Sequence, residues 1–81
     1  MEVHYFARYR EALGVGMEQI EWDESLITLG ALRDRLVSRG GAWEVLNERN
    51  LMCAVNQEMC SLSTELGPDD EVAFFPTVTG G

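Results

Sequence analysis

The stretch TLGALRDRLV, residues 28–37, carries the clearest helical pattern in the chain. Its leucines recur at the three- and four-residue spacing that puts side chains on one face of a helix: Leu29, Leu32 and Leu36. Thr28 is a good N-cap residue because its hydroxyl can accept a hydrogen bond from a first-turn amide, and the glycines at 40–41 provide a stop. The segment therefore predicts one amphipathic helix whose apolar face must be buried against a second layer.

Strand patterns precede this helix. Residues 2–9 (EVHYFARY) and 17–23 (MEQIEWD) alternate apolar and polar side chains, with the period of two that half-buried strands show. Between them, residues 10–14 (REALG) predict one helical turn closed by Gly14. The two strands are therefore expected to form a hairpin.

Strand patterns also follow the helix. Residues 51–55 (LMCAV) predict a buried strand, and a tight turn at 56–57 joins it to a short return strand, EMC. Residues 71–76 (EVAFFP) predict the last strand. A short helix is predicted at 42–48, before these strands, and a single turn is predicted at 63–67, before the last strand.

The order strand, strand, helix, strand, short strand, strand places the main helix in the middle of the chain. A lone helix of this kind must cover one face of a mixed sheet, and the first and last strands are expected to lie parallel at the centre of that sheet. The predicted fold class is therefore α+β, a ubiquitin-like β-grasp. Residues 1–76 form the predicted domain, and residues 77–81 form an extended, flexible tail.

Length and charge restrict the possible functions. The chain of 81 residues predicts one domain, and a formal charge of −8 without a basic patch argues against nucleic-acid binding. No apolar run reaches the ~18 residues of a membrane span, and the N-terminus lacks the basic and apolar regions of a signal peptide. A cytoplasmic location and a basic protein partner are therefore expected.

The reactive side chains predict neither a catalytic centre nor a metal site. Cys53 and Cys60 lack redox or zinc spacing and are expected to be free thiols, with persulfide carriage as the alternative. His4 has no Ser, Cys or carboxylate partner in a recognisable motif, and the acidic pairs at 23–24 and 69–70 predict solvated loops.

The sequence VTGG at the C-terminus predicts chemistry of a different kind. Gly80 and Gly81 leave the terminal carboxylate free of neighbouring side chains. ATP can activate such a carboxylate as an acyl-adenylate, and a narrow enzyme cleft can admit a tail that lacks Cβ atoms. Ordering four tail residues opposes binding by ~1–2 kcal/mol each, so a docking surface is expected on the folded body.

An apolar patch next to the tail is the predicted docking surface. Val72 and Phe74 alternate inward, which places Phe75 on the outer face of the sheet. Phe6 of the first strand and Met59 are expected beside it, and Pro76 is expected to end strand pairing and to direct the tail away. The predicted partner-binding residues are Phe6, Met59, Phe75, Pro76, Thr77, Val78 and Thr79.

These features together resemble the MoaD family, the small sulfur-carrier subunits of molybdopterin synthase. The likeness covers the whole length and includes YFARYREALG, TLGALRDRLVSRG, AVNQE and DDEVAFFPTVTGG. The usual ending of the family is FFPPV, then Ser or Thr, then Gly-Gly. Here Thr77 replaces the second proline, which makes the exit of the tail less rigid.

The resemblance implies that Gly81 carries the sulfur, with Gly80 as its slim neighbour. A partner adenylating enzyme would use ATP and Mg²⁺ to make an acyl-adenylate on Gly81, and a sulfurtransferase or cysteine desulfurase system would convert it to a thiocarboxylate. The sulfur would then pass to cyclic pyranopterin monophosphate in the large subunit of a heterotetramer, which supplies the acid-base residues. The carrier would hold no stable cofactor, and Phe6, Met59 and Phe75 would contact both partners.

Two other functions stay open. The chain could carry sulfur for another pathway, such as thiamine or cysteine synthesis or tRNA thiolation. It could also be a ubiquitin-like modifier that Gly81 joins to lysines of other proteins. A stand-alone enzyme is disfavoured because His4 lacks a catalytic partner in any recognisable motif.

Overall fold

A computed structural model describes residues 1–77. Five strands, two α-helices and two 3₁₀ helices make up this part of the chain. In chain order they are β1 (Glu2–Tyr5), α1 (Ala7–Leu13), β2 (Met17–Gln19), a 3₁₀ helix (Glu24–Leu26), α2 (Leu29–Val37), a 3₁₀ helix (Gly41–Asn47), β3 (Met52–Val55), β4 (Glu58–Cys60) and β5 (Glu71–Phe75). None of the helices among residues 1–77 is long and apolar enough to cross a membrane.

The strands form one mixed sheet in the order β2-β1-β5-β3-β4. β1 and β5 run parallel at its centre, with Tyr5 opposite Phe74, and the other neighbouring pairs are antiparallel. Asn56 and Gln57 join β3 to β4 with φ values of 52° and 70°, which suit a two-residue hairpin turn of right-handed twist. This topology confirms the predicted ubiquitin-like β-grasp.

Helix α2 covers one face of the sheet as predicted. The hydroxyl of Thr28 accepts a hydrogen bond from the amide of Ala31 at 3.1 Å, so Thr28 is the N-cap. Leucines 29, 32 and 36 of α2 are fully buried in one cluster with the inward residues of the strands: Val3, Tyr5, Cys53, Val72 and Phe74. The single apolar face of α2 therefore holds the two layers together.

The predicted strand at 2–9 is wrong beyond Tyr5, because α1 begins at Ala7. Phe6 is the last residue with an extended backbone before α1, and its carbonyl accepts hydrogen bonds from the amides of Tyr9 and Arg10. Ala7 has a φ of 54°, which turns the chain sharply out of the sheet and into the helix. Gly14, in the left-handed conformation with a φ of 71°, ends this helix as predicted.

Three other predicted boundaries also differ. The second strand stops at Gln19, which pairs with Glu2 at the start of β1, and the side chain of Trp22 donates to the carbonyl of Leu26 in the next helix. The predicted turn at 63–67 is extended around Glu65, which forms a bridge with Thr28. The last strand ends at Phe75, one residue earlier than predicted.

Candidate functional site

The face of the sheet opposite α2 has an apolar half. Successive residues of a strand point to opposite faces, so the outward residues are those that alternate with the core. In the register of the sheet Met52 lies opposite Phe75, and Ala54 lies between Ala73 and Met59. We call the set Phe6, Met52, Ala54, Met59, Ala73 and Phe75 the outer-face patch.

Phe6 belongs to the outer-face patch although it has left the strand. Its amide donates to the carbonyl of Phe74 at 3.1 Å, so the parallel register continues and sets Phe6 beside Phe75. The ring of Phe6 stacks on that of His4, with centroids 6.1 Å apart and an interplanar angle of 9°. Because His4 points away from the core side of β1, this contact places Phe6 on the outer face.

Exposure distinguishes the members of the outer-face patch. Met59 is 57% exposed and Phe6 is 48% exposed, whereas Phe75 is partly buried and Ala54 is buried. The two alanines of the outer-face patch, Ala54 and Ala73, have small side chains and therefore leave a shallow depression between the larger ones. Met52 was not among the predicted partner-binding residues, and the period-two alternation of β3 is the signal that could have found it.

The tail residues of the prediction divide into two groups. Pro76 is buried, and the exposed Thr77 donates a hydrogen bond from its hydroxyl to the carbonyl of Asn50. Strand pairing ends at Phe75, before Pro76, and the chain remains against the folded body through Thr77. Val78, Thr79, Gly80 and Gly81 lie outside the described residues.

An ion pair fixes the segment that holds Thr77. Arg8 of α1 makes two hydrogen bonds to the carboxylate of Glu48, one of them 2.6 Å long, and the hydroxyl of Tyr9 donates to the same carboxylate at 2.8 Å. The hydrogen bonds from Arg8 and then Tyr9 hold the pKa of Glu48 below its usual value. Burial and the bond to Glu48 raise the pKa of Tyr9 to about 12, so it stays a donor. Together these contacts tie α1 to the chain just before Asn50.

A second carboxylate is shared between β2 and the helical layer. Glu18 accepts a hydrogen bond from the hydroxyl of Tyr5 at 2.8 Å and two from the guanidinium of Arg39 at 3.0 Å. Burial acts to raise the pKa of Glu18, but the hydrogen bonds from Arg39 and Tyr5 outweigh it and hold the pKa below its usual value. This carboxylate therefore remains charged and links the edge of the sheet to the residues after α2.

Two carboxylates lie beside His4, although no recognisable sequence motif contains them. Its Nε2 atom lies 3.4 Å from a carboxylate oxygen of Glu2 and 3.5 Å from one of Glu71. Glu2 is two residues before His4 on the same face of β1, and Glu71 is the parallel partner of Glu2 on β5. A local motif search misses this cluster because Glu71 comes from the other end of the sequence.

The two cysteines are free thiols, as predicted, and they face each other. Cys53 and Cys60 are cross-strand partners on β3 and β4, with their sulfur atoms 4.0 Å apart. Burial, with a smaller contribution from Cys60, raises the pKa of the Cys53 thiol to about 12. A thiol with so high a pKa is a weak nucleophile at neutral pH, so Cys53 is poorly suited to carry sulfur.

Known proteins resemble this chain over its whole length. The molybdopterin synthase sulfur carrier subunit of Haemophilus influenzae is 39% identical over 82 residues, covering 100% of this chain and 99% of the relative. The subunit of the same name from Escherichia coli is 38% identical, with the same coverage. These relatives bear the name of the family that the sequence resembles.

Solved structures share the fold. SAMP1 from Haloferax volcanii superposes with a TM-score of 0.81 at 28% identity, covering 100% of this chain and 98% of the other. A second Haloferax volcanii structure, small archaeal modifier protein 1, gives 0.75 at 26% identity and covers 96% and 97%. A putative molybdopterin converting factor, subunit 1, from Pyrococcus furiosus gives 0.76 at 31% identity and covers 95% of both chains.

The family assignment rests on the sequence and on the fold together. The profile of the ThiS family matches residues 3–81, which is nearly the whole chain. The β-grasp sheet, the position of α2 and the full-length similarity to the sulfur carrier subunits agree with that match. The chain belongs to the ThiS family.

Proposed function

We propose that this protein is the sulfur carrier subunit of a molybdopterin synthase. The observation that carries the proposal is the 39% identity, over the full length, to a relative named molybdopterin synthase sulfur carrier subunit. The match leaves no second domain in that relative unaccounted for, since 99% of it is covered. The partner is then the large subunit of the synthase.

The proposed chemistry takes place at the carboxylate of Gly81. A carboxylate oxygen attacks the α-phosphorus of ATP-Mg²⁺ in a partner adenylating enzyme, and pyrophosphate leaves. The outer sulfur of a persulfide in a sulfurtransferase or cysteine desulfurase system then attacks the carbonyl carbon, and AMP leaves. A thiol of that system cleaves the resulting S–S bond, which leaves a disulfide there and a thiocarboxylate on Gly81. That sulfur is passed to cyclic pyranopterin monophosphate in the large subunit. Gly80 keeps the approach to the reacting carbon free of side chains.

The folded body contributes the binding energy in this proposal. The tail must be ordered in the cleft of a partner. The outer-face patch is an apolar surface of residues 1–77 next to the start of the tail, because its member Phe75 directly precedes Pro76 and Thr77 in the sequence. Phe6 and Met59 are exposed enough to be buried by a partner, and Phe75 joins them to the start of the tail. The same surface would serve the adenylating enzyme and the large subunit in turn, so the two partners would compete for it.

Intact mass spectrometry tests the proposal. The chain is incubated with ATP, Mg²⁺, the cognate adenylating enzyme and a sulfur source, and the mass is recorded before and after. We expect one oxygen to be exchanged for sulfur, mapped to Gly81, and no change in a variant lacking Gly81. Addition of sulfur to Cys53 or Cys60 would contradict the proposal, as would molybdopterin formation by the Gly81-deleted chain.

Two alternative functions can be distinguished from this one, the first by covalent adducts and the second by conversion of cyclic pyranopterin monophosphate. Resemblance to a small archaeal modifier protein favours a modifier as the second candidate. A modifier would form covalent adducts with lysines of other proteins after ATP activation, whereas a sulfur carrier would not. A carrier for another pathway would form the thiocarboxylate but would fail to convert cyclic pyranopterin monophosphate with the large subunit.

A further inference from the structure

The cluster Glu2, His4 and Glu71 stands apart from the other acidic groups of residues 1–77. Four carboxylates in this part of the chain lie within ion-pair distance of an arginine: Glu18, Asp23, Asp34 and Glu48. Glu2 and Glu71 have His4 as their sole ion-pair neighbour among the described residues. They are direct partners across the parallel strands, where like charges repel. Among the described residues, this pair of neighbouring carboxylates therefore has no arginine to offset its repulsion.

The imidazole of His4 has an unused nitrogen at the centre of the cluster. Its Nε2 atom is shielded from solvent and makes no hydrogen bond within residues 1–77. The nearest carboxylate oxygens of Glu2 and Glu71 lie 3.4 and 3.5 Å from it, beyond the range of about 2.7–3.2 Å of an ordinary N–H···O hydrogen bond. Buried polar atoms in native structures are usually paired. The lone pair of a neutral imidazole at this position is available to a different kind of partner.

The geometry points to a divalent cation. We propose that Glu2, His4 and Glu71 bind Zn²⁺ through one nitrogen and two carboxylate oxygens. The three ligand atoms lie within 4.8 Å of one another. In a tetrahedral zinc site with bonds of 2.0–2.2 Å the ligand atoms are about 3.3–3.5 Å apart, which matches both distances from Nε2. Nitrogen and oxygen ligands of this type suit Zn²⁺, and water would fill the fourth position.

An ion can enter the cluster from solvent, and an ion bound there would have a measurable effect on the sheet. Glu2 and Glu71 have side chains that are 40% and 41% exposed, so the ion can reach them from solvent. Bound Zn²⁺ would offset the repulsion between the two carboxylates and would link β1 to β5 at the centre of the sheet. The proposed ligands include none of the residues to which the sulfur chemistry is assigned, so the zinc site stands or fails independently of that function.

Titration of the tag-free chain with ZnCl₂ near neutral pH tests the site. We expect one Zn²⁺ per chain by calorimetry, and a rise in melting temperature with Zn²⁺ concentration because the ion binds the folded state. His4 is the only histidine, so its imidazole NMR signals report directly on the site and should shift on binding. The titration is made in a Cys60→Ser background, because the facing thiols could bind zinc themselves.

Matched variants identify the ligands. His4→Gln should weaken Zn²⁺ binding by more than about tenfold, and Glu71→Gln should also weaken it. Glu11→Gln removes the same charge from an exposed position on α1 and should leave the affinity unchanged. The proposal is overturned if the wild-type cluster binds no Zn²⁺, or if His4→Gln and Glu71→Gln bind it as tightly as Glu11→Gln. A spectrum with native dispersion in each variant excludes unfolding as the cause.

Discussion

The hydroxyl of Thr77 donates a hydrogen bond to the backbone carbonyl of Asn50, and this bond ties the residue after Pro76 to the segment before β3. The usual ending of the MoaD family, which this sequence resembles, has a second proline at this position. A proline restricts the chain by fixing φ, whereas Thr77 restricts it through a side-chain bond. The substitution therefore replaces one restraint on the exit of the tail with another.

Removing that restraint should slow activation of the carrier. Thr77→Val keeps the shape of the side chain but deletes the donor, at a net cost of about 0.5–1.5 kcal/mol for one hydrogen bond. If the bond pre-orders the tail for the adenylating enzyme, the rate of loading under limiting enzyme should fall about two- to tenfold. Thr77→Ser retains the hydroxyl and should load at the wild-type rate. Equal rates for the Val and Ser variants would show that the bond has no part in docking.

Charged substitutions in the outer-face patch should weaken both partner complexes. Phe75→Asp and Met59→Asp place a carboxylate where a partner must exclude water, and loss of such an anchor costs about 2 kcal/mol or more, roughly thirtyfold in Kd. Affinities for the large subunit and the adenylating enzyme are measured by calorimetry, with circular dichroism to check the fold.

Ile27→Asp is the matched control for these variants. Ile27 is 53% exposed, similar to Met59, but it precedes α2 in the layer that covers the other face of the sheet. The Ile27→Asp substitution adds the same negative charge to a chain that is already acidic. Unchanged affinity of the Phe75 and Met59 variants, or an equal loss in the Ile27 variant, would refute the proposed docking surface.

The carboxylate of Glu18 should make stability depend on pH at the acid end. Its pKa in the folded chain is below the unfolded value of about 4.3. Its stabilisation is therefore complete above that value and is lost as the pH falls through the folded-state pKa. Because Glu18 is only partly buried, Glu18→Gln should lower the free energy of unfolding by about 1 kcal/mol at neutral pH. The difference should shrink as the pH falls through the folded-state pKa and should disappear below it, where the protonated Glu resembles Gln.

Urea denaturation across this pH range measures the effect. Glu11 is exposed and has no arginine within ion-pair distance among residues 1–77. Glu11→Gln should therefore give a small difference that does not follow the same acid transition. A Glu18→Gln variant whose deficit persists unchanged to low pH would indicate lost packing rather than a lost charge interaction.

The predictable parts of the fold are those in which a local pattern and the tertiary structure agree. Helix α2 has its N-cap at Thr28 and its leucines at helical spacing, and the turn at 56–57 joins two neighbouring strands that pair with each other. The boundary after Tyr5 could not be predicted, because the alternation of residues 2–9 continues into α1. The corner is made by Ala7 in a left-handed conformation, which a side chain with a Cβ disfavours.

The candidate site shows the same division. Outward placement of Phe75 follows from the alternation of β5, and the exposed positions of Phe6 and Met59 follow once the strands are paired. The cluster around His4 could not be predicted, because it depends on the parallel register that brings Glu71 beside Glu2. The order of elements predicts that the last strand lies parallel to β1 at the centre of the sheet, but it does not give the register of the pair, and a long-range contact of charged groups leaves no hydrophobic pattern.

The position of β5 has a consequence for synthesis on the ribosome. It is the last strand in the sequence, yet it lies between β1 and β3 in the sheet. A nascent chain that has emerged only as far as residue 70 holds two hairpins with no strand to join them, and isolated hairpins are marginally stable at best. Folding must therefore wait for residues 71–75 and then proceed through contacts distant in sequence, which slows it. A product truncated before β5 cannot complete its core and would be open to proteases. Only chains that have been translated through Phe75 would therefore fold and persist.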